Sequence, residues 1–289
     1  MSAAPIEQRD HAREILARVR ELAVLPHVVY RVMELSATTE SSASSIEKAI
    51  VVDPGFSSKL LRVVNSSYYA LPRKITSIRE ALVFLGFKAV REIAMTVGVY
   101  DMFIGKTDRE SLRRRAWWRH SVDTAVASKY LVQQLKRFDP ENAYTCGLLH
   151  IIGKTLLDRF GGRDYEAVNV LVQQGKTTPQ AERMVFGCDH EVVAVAAAEK
   201  WGFPAELIAG LRYLGDAGPD QPHREYGAVV ALASAIAEYA VTGAGERDDV
   251  SSLFPTWPRP ILGIDEGKVL ELAEGGVRAI AETAALVSG

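Results

Sequence analysis

The sequence predicts an all-α protein built as two helical lobes. Three observations predict this: helix-start signals recur along the chain, helix-stop signals follow at ordinary helix lengths, and no stretch alternates apolar and polar residues up to a hairpin turn. About a dozen helices are expected, well above the usual share of helix in globular chains. In chain order, Ser44-Ser45-Ile46-Glu47 has the spacing of a capping box, in which the serine oxygen accepts an N–H three residues on and the glutamate reaches back. Asp53-Pro54 offers an N-cap acceptor followed by a proline at the first helical position, where its missing N–H costs nothing. Asn65 and Ser66 follow "LLRVV" and are suited to satisfying the last carbonyls of that helix or turning the chain; a polar contact across an interlobe cleft is the second reading. Ser77-Ile78-Arg79-Glu80 repeats the capping device before "ALVFLGFKAVREIAM", where Ala81, Leu82, Leu85, Ala89 and Ile93 recur at helical spacing. Gly86, inside that run, is read as permitting close helix packing. Tyr68, Tyr69 and Phe84 read as core or lobe-interface aromatics.

Asp139-Pro140 and Thr178-Pro179 repeat the cap-plus-proline pattern, and Gly105, Gly161-Gly162, Gly175 and Gly215 to Pro219 read as stops. The window "GAVVALASAIAEYAV" is too short for a membrane span and is interrupted by Ser234 and Glu238, so it reads as a core helix. The charged stretch "GKTDRESLRRRAWWRHS" separates two helical sets, and "TGAGERDDVSSLFPTWPRP" reads as a loop before a last helix from about Asp265. These shifts divide the chain into an N-terminal helical lobe (1–115), a second helical lobe (116–245) and a proline-containing loop with a C-terminal helix (246–289).

Composition narrows the function classes. With 289 residues, 48% hydrophobic and 24% charged, the chain reads as an ordinary globular protein. A net charge of -2 gives no global attraction to nucleic acid or anionic lipid. Cys146 and Cys188 lie in apolar surroundings without C-x-x-C spacing and read as buried free thiols of a reducing compartment. The N-terminus "MSAAPIEQRDHAREIL" mixes acids with bases and has no apolar h-region, so a cytoplasmic protein with no membrane association is expected.

Three histidines, His120, His150 and His190, each fall at or near the start of an expected helix and could converge in a helical bundle. Neutral imidazoles suit several transition metals, but a hydrolytic centre normally adds carboxylates. Nothing acidic adjoins His150, and Asp123 and Asp189 have no ligand spacing to the other two. On spacing alone, hydrogen bonding within the core is the simpler reading. Arg113, Arg114, Arg115 and Arg119 flank Trp117 and Trp118, a combination able to hold phosphate and stack bases. On a slightly acidic chain, a linker helix anchored to the second lobe by its tryptophans is the preferred reading.

"WWRHSVDTAVASKYL", "AYTCGLLHIIGKTLL" and "FGCDHEVVAVAAAEKWGFP" resemble the successive histidine-bearing helices of the HD superfamily of metal-dependent phosphohydrolases. "LPHVVYRVMEL" and "SIEKAIVVDPGFSSKLLRVVNSSYYALPRKITSIREALVFLGFKAVREIAM" narrow the resemblance to the HDOD branch, the HD-related output domain, from about Leu25 to Tyr239. The tail "LGIDEGKVLELAEGG" is similar to those that end such chains. The resemblance implies a two-lobed helical protein of bacterial signalling, usually without known catalysis. It also makes Asp53, Pro54, Asn65, Ser66, Gly86 and Trp118 family-signature or interlobe candidates.

In the catalytic superfamily His120 would be the first metal ligand, and an Asp would follow His150 where this chain has Ile151. A later acid falls at Ser234. His190 corresponds to an extra ligand of the two-metal HD-GYP branch, whose next histidine falls near Tyr213 and Leu214; the GYP segment is missing. Without those carboxylates no offset remains for a divalent cation, and an apolar side chain occupies a ligand position. No metal, cofactor or catalytic residue is therefore expected, with His120, His150 and His190 as remnant positions. The expected function is regulatory: a signalling protein or small signalling ligand binds between the lobes and biases their arrangement. Residual metal-dependent phosphohydrolase activity through the three histidines is the alternative, and nucleic-acid or nucleotide binding through Arg113–Arg119 is the second. The resemblance uses nearly the whole chain, so input is expected to come by association or expression level. Oligomeric state stays open.

Overall fold

A computed structural model describes residues 6–23, 26–36, 43–66, 69, 71–103, 108–243 and 250–283. Among these residues there is no strand, and the chain is all-α as expected. The expected stop at Gly105 and the aromatic Tyr68 lie outside the described residues.

One set of helices comprises α2 (His27–Ser36), α3 (Ala43–Val51), α4 (Pro54–Val64) and α5 (Ile78–Phe103). Asp53 caps α4: its side chain accepts from the Phe56 N–H at 3.0 Å, and Pro54 opens the helix. One stripe of α4 at four-residue spacing (Phe56, Leu60, Val64) is buried against its neighbours. At the other end the Asn65 amide donates to the carbonyls of Leu61 and Ile75, both at 2.8 Å, and its oxygen accepts from the Ile75 N–H at 2.8 Å. One side chain thus ends α4 and pins the segment that leads into α5. Ser66 Oγ, beside it, is buried with no hydrogen-bond partner among the described residues.

Several local expectations shift. Ser44 lies inside α3, one residue past its start. Ser77 accepts from the Glu80 N–H at 3.1 Å, but the Glu80 carboxylate reaches Thr76 N–H at 2.9 Å instead of Ser77. The cap of α10 (Thr178–Phe186) is Thr177, whose capping box closes with Gln180 and puts Pro179 in the first turn. Gly86 does not serve close packing: a Cβ there would meet nothing within 4 Å. Its φ of 80° and ψ of 168° break α5 into two helical pieces, a conformation costly for any other residue. Phe84 is 42% exposed under the Arg73 guanidinium, 5.1 Å from its ring centre, and is therefore not a core aromatic.

The second set is organised on α6 (Asp108–Leu135), against which α7 (Pro140–Leu149), α13 (Arg224–Thr242) and α15 (Glu266–Thr283) pack. The boundary expected at 115/116 falls inside α6, which runs through it. α1 (Ile6–Leu22), grouped by sequence with the first lobe, packs on α8 (Ile152–Phe160), α10 and α11 (His190–Lys200), and Trp201 Nε1 donates to the Ala23 carbonyl at 2.9 Å. α13 carries the apolar window as a buried core helix, and no described helix is long and apolar enough to cross a membrane. The expected loop after it contains a short 3₁₀ turn (Val250–Leu253) and α14 (Pro258–Leu262).

Trp118 joins the two sets: its ring meets Tyr100 at 5.1 Å and Phe103 at 5.5 Å, at the end of α5. Trp117 turns the other way, onto Tyr165 at 4.9 Å. Cys146 and Cys188 are buried free thiols.

Candidate functional site

Two glycines bring the three histidines together. A Cβ on Gly147 of α7 would lie 2.7 Å from the Ala125 Cα of α6, so α7 rests backbone-to-backbone on the helix that carries His120. A Cβ on Gly153 of α8 would lie 1.9 Å from the His190 carbonyl oxygen, so α8 rests on the start of α11. His150 caps α7 between these two contacts, and Asp189 caps α11 by accepting from the Val192 N–H at 3.1 Å.

The side chains form two linked hydrogen-bonded groups. His150 Nδ1 lies 2.6 Å from the Gly147 carbonyl, which can only accept, so that nitrogen carries the proton. Its Nε2 then accepts, and it faces His120 Nε2 at 3.3 Å; Ser234 Oγ lies 3.0 Å from the same His120 nitrogen. His190 Nδ1 donates to Glu182 at 2.5 Å, the His190 backbone N–H donates to the same oxygen at 2.9 Å, and Tyr165 donates to the other carboxylate oxygen. His190 Nε2 meets the Tyr213 hydroxyl at 2.7 Å. The Tyr213 ring connects the groups, edge-on to His150 with centres 4.9 Å apart.

Burial dominates the electrostatics. It pushes His120 down to about 4, with the Lys154 ammonium adding to the shift. His150 is lowered as well, first by burial and then by His120. Both rings are neutral at pH 7. Burial opposes ionisation of Glu182, but His190, Lys154 and the Tyr165 hydroxyl outweigh it and hold the carboxyl below its usual range. Asp123 is raised by burial against its pairing with Arg119 Nε at 2.7 and 2.9 Å. It therefore faces an arginine, not the histidines.

A histidine neutral in the folded state and protonated in the unfolded one loses stability as acid is added. For His120 the loss begins near its unfolded value of 6.5 and is complete near 4, and His150 acts in the same direction. At about 1.4 kcal/mol per pKa unit, His120 alone contributes a loss of the order of 3 kcal/mol over that window. Urea denaturation at pH 7 and pH 4.5 should therefore show a smaller acid loss in His120→Asn than in the unaltered chain; equal losses would contradict the assignment.

These residues do not fit a divalent cation. Ile151 is buried where a carboxylate would be needed, and Ser234 offers a neutral hydroxyl already on His120. Lys154 places a positive charge near the imidazoles. Glu182, the one acid in the network, lies on the Nδ1 side of His190, where it orients the ring. Among the described residues no three His, Cys, Asp or Glu converge as ligands.

Glu182 was missed by sequence reasoning, as were Tyr165 and Lys154. In "AERMVF" Glu182 falls on the helical face of Val185 and Phe186, both buried, and only that placement on an apolar face could have flagged it. The remaining candidates lie elsewhere: Asp53, Pro54, Asn65, Ser66 and Gly86 in the first helical set, and Trp118 where the sets meet. Arg113 and Arg114 bind Asp158, with Arg114 Nε at 2.7 Å, while Arg115 is exposed. A separate cleft of about 350 Å³ opens between α5, α6 and α15, lined by Glu92, Thr96, Lys129, Tyr130, Tyr144 and Thr283. Lys129–Glu92 and the 2.8 Å Thr96–Tyr144 bond cross between its walls.

Comparison with known proteins gives a consistent picture. Residues 22–216 match the family model described as the HDOD domain. A solved structure of an HDOD domain protein with unknown function from Geobacter sulfurreducens is 26% identical, with a TM-score of 0.77 over 97% of this chain and 98% of that one. A Shewanella amazonensis SB2B protein, provisionally named a phosphohydrolase, shares the fold at 22% identity and a TM-score of 0.73, covering 94% and 98% of the two chains. An uncharacterized protein of Treponema pallidum (strain Nichols) is 21% identical over 208 residues, which are 70% of this chain and 39% of that protein.

Proposed function

Because this chain belongs to the HDOD domain family, we propose that it is a regulatory binding module without phosphohydrolase activity. In this reading a signalling protein or small ligand engages the cleft between α5 and α6 and biases how the two helical sets sit on each other. Such a ligand acts only if it prefers one arrangement. The Lys129–Glu92 and Thr96–Tyr144 contacts are the bonds it would exchange.

One observation carries the non-catalytic reading. The Nε2 atom of each of the three histidines is already engaged by a hydroxyl or another imidazole, and the one carboxylate among them, Glu182, is held on the far side of His190, at Nδ1. A hydrolytic centre needs an open position for water and carboxylates placed to bind the cation, and the Nε2 side of these histidines offers neither. The phosphohydrolase name attached to the Shewanella protein is a statement about that protein. The nucleic-acid reading is weakened by Asp158, which holds Arg113 and Arg114 inside the fold.

The test is turnover. Purified full chain, supplied with Mn²⁺, Fe²⁺, Zn²⁺ or Mg²⁺, is expected to hydrolyse neither phosphodiesters nor nucleoside phosphates. Turnover abolished in His150→Ala would overturn the proposal.

A further inference from the structure

A second cavity, of about 330 Å³, lies where α2 and α5 meet α7 and α12 (Ala205–Gly210). Met33, Arg91, Asn142, Thr145, Glu206 and Leu207 line it. Arg91 is half-buried, and burial works against its charge. Its guanidinium has no hydrogen-bond or ion-pair partner among the described residues. The carboxylates around it are engaged elsewhere: Glu92 with Lys129, Glu141 with Lys88 at 3.3 Å, and Asp139 with the Asn142 N–H at 2.8 Å. The guanidinium donors are open to the cavity and its solvent, and a planar carboxylate entering there would take two of them at once.

The opposite charge is also present. Glu206 lines the same cavity, and the basic side chain beside it is the His223 ring, whose Nε2 lies 3.8 Å from its carboxylate. It forms no ion pair with Arg91, so the cavity has a guanidinium and a carboxylate that do not meet. We propose that this cavity binds a small zwitterion of the α-amino acid class, its carboxylate on Arg91, its ammonium on Glu206, and its side chain against Met33 and Leu207. A free anion such as phosphate would meet Glu206 and the three neighbouring acids, and a free amine would meet Arg91. Only a molecule with both charges satisfies both groups. The volume is at the lower end of the range for small-molecule sites, and the largely polar lining suits a small charged ligand. Asn142 adds an amide, and Thr145 Oγ, which donates to the Glu141 carbonyl at 3.0 Å, keeps its lone pairs for an ammonium.

Binding in this cavity is independent of any catalysis at the histidine cluster, and its test reads binding alone. The full chain is titrated by calorimetry and thermal shift with each of the twenty common L-amino acids, and with acetate, phosphate and ethylamine as single-charge probes. At least one amino acid is expected to bind and raise the melting temperature while the three single-charge probes do not. Arg91→Gln and Glu206→Gln are each expected to weaken that amino acid at least about tenfold. Glu206 is a third exposed and loosely paired, so its variant carries the test if Arg91→Gln fails to fold. No binding by any amino acid, equal binding of acetate or phosphate, or unaltered affinity in Glu206→Gln would overturn the proposal.

Discussion

Glu182→Ala is expected to destabilise the protein by about 3–5 kcal/mol, enough to leave a substantial part of the chain unfolded at 37 °C. The carboxylate is fully buried and accepts from Tyr165, from the His190 backbone and from the His190 ring. Removing it leaves those donors without an acceptor, and each unsatisfied buried group costs about 1–3 kcal/mol. It also removes the negative charge that Lys154 feels. Glu182→Gln preserves the shape and one acceptor and should cost less. Tyr165→Phe removes a single bond and should cost least. Chemical denaturation of the three variants orders them; a loss under about 1 kcal/mol in Glu182→Ala would show that the acid does not organise this core.

Gly153→Ala is the second large effect. The added methyl would sit 1.9 Å from the His190 carbonyl oxygen, an atom of the backbone that no rotamer change can move away. The start of α8 must then separate from α11, which opens the packing that holds His150 near His190. The expected loss is about 3 kcal/mol or more, at the upper end for overpacking, because backbone has to move. Gly267→Ala in α15 is the control. There the nearest atom to a new methyl is Asp265 Oδ1, at an ordinary 3.6 Å, and alanine favours helix, so stability should hold or rise by up to about 1 kcal/mol. Melting temperatures of the two variants decide the matter, and equal values would contradict the packing argument.

The helices were legible because their ends are written locally. An Asp before a Pro caps α4 and α7, and both appear as read. Offsets of one residue arose where two candidate caps adjoin, as with Thr177 and Thr178, since sequence cannot say which oxygen reaches the third N–H. Gly86 reads from sequence as permitting close helix packing, although what matters there is the sign of a backbone angle, which composition does not report. α1 was misgrouped for a different reason: an amphipathic helix states that it has a partner face, not which distant helices cover it. The same holds for the candidate site. The three histidines and the two altered positions, Ile151 and Ser234, were visible in order along the chain. Glu182 became visible only in three dimensions, because its partners come from α11 and from Tyr165, the residue preceding α9 (Glu166–Gln173).

On the reading proposed above, hydrogen bonds and not an ion hold this imidazole cluster together. Elemental analysis of the full chain, purified without chelator and dialysed against metal-free buffer, decides between the two. Transition metal far below one ion per chain, unchanged in His150→Ala, is the expected result. One equivalent of metal that disappears in His150→Ala would contradict it.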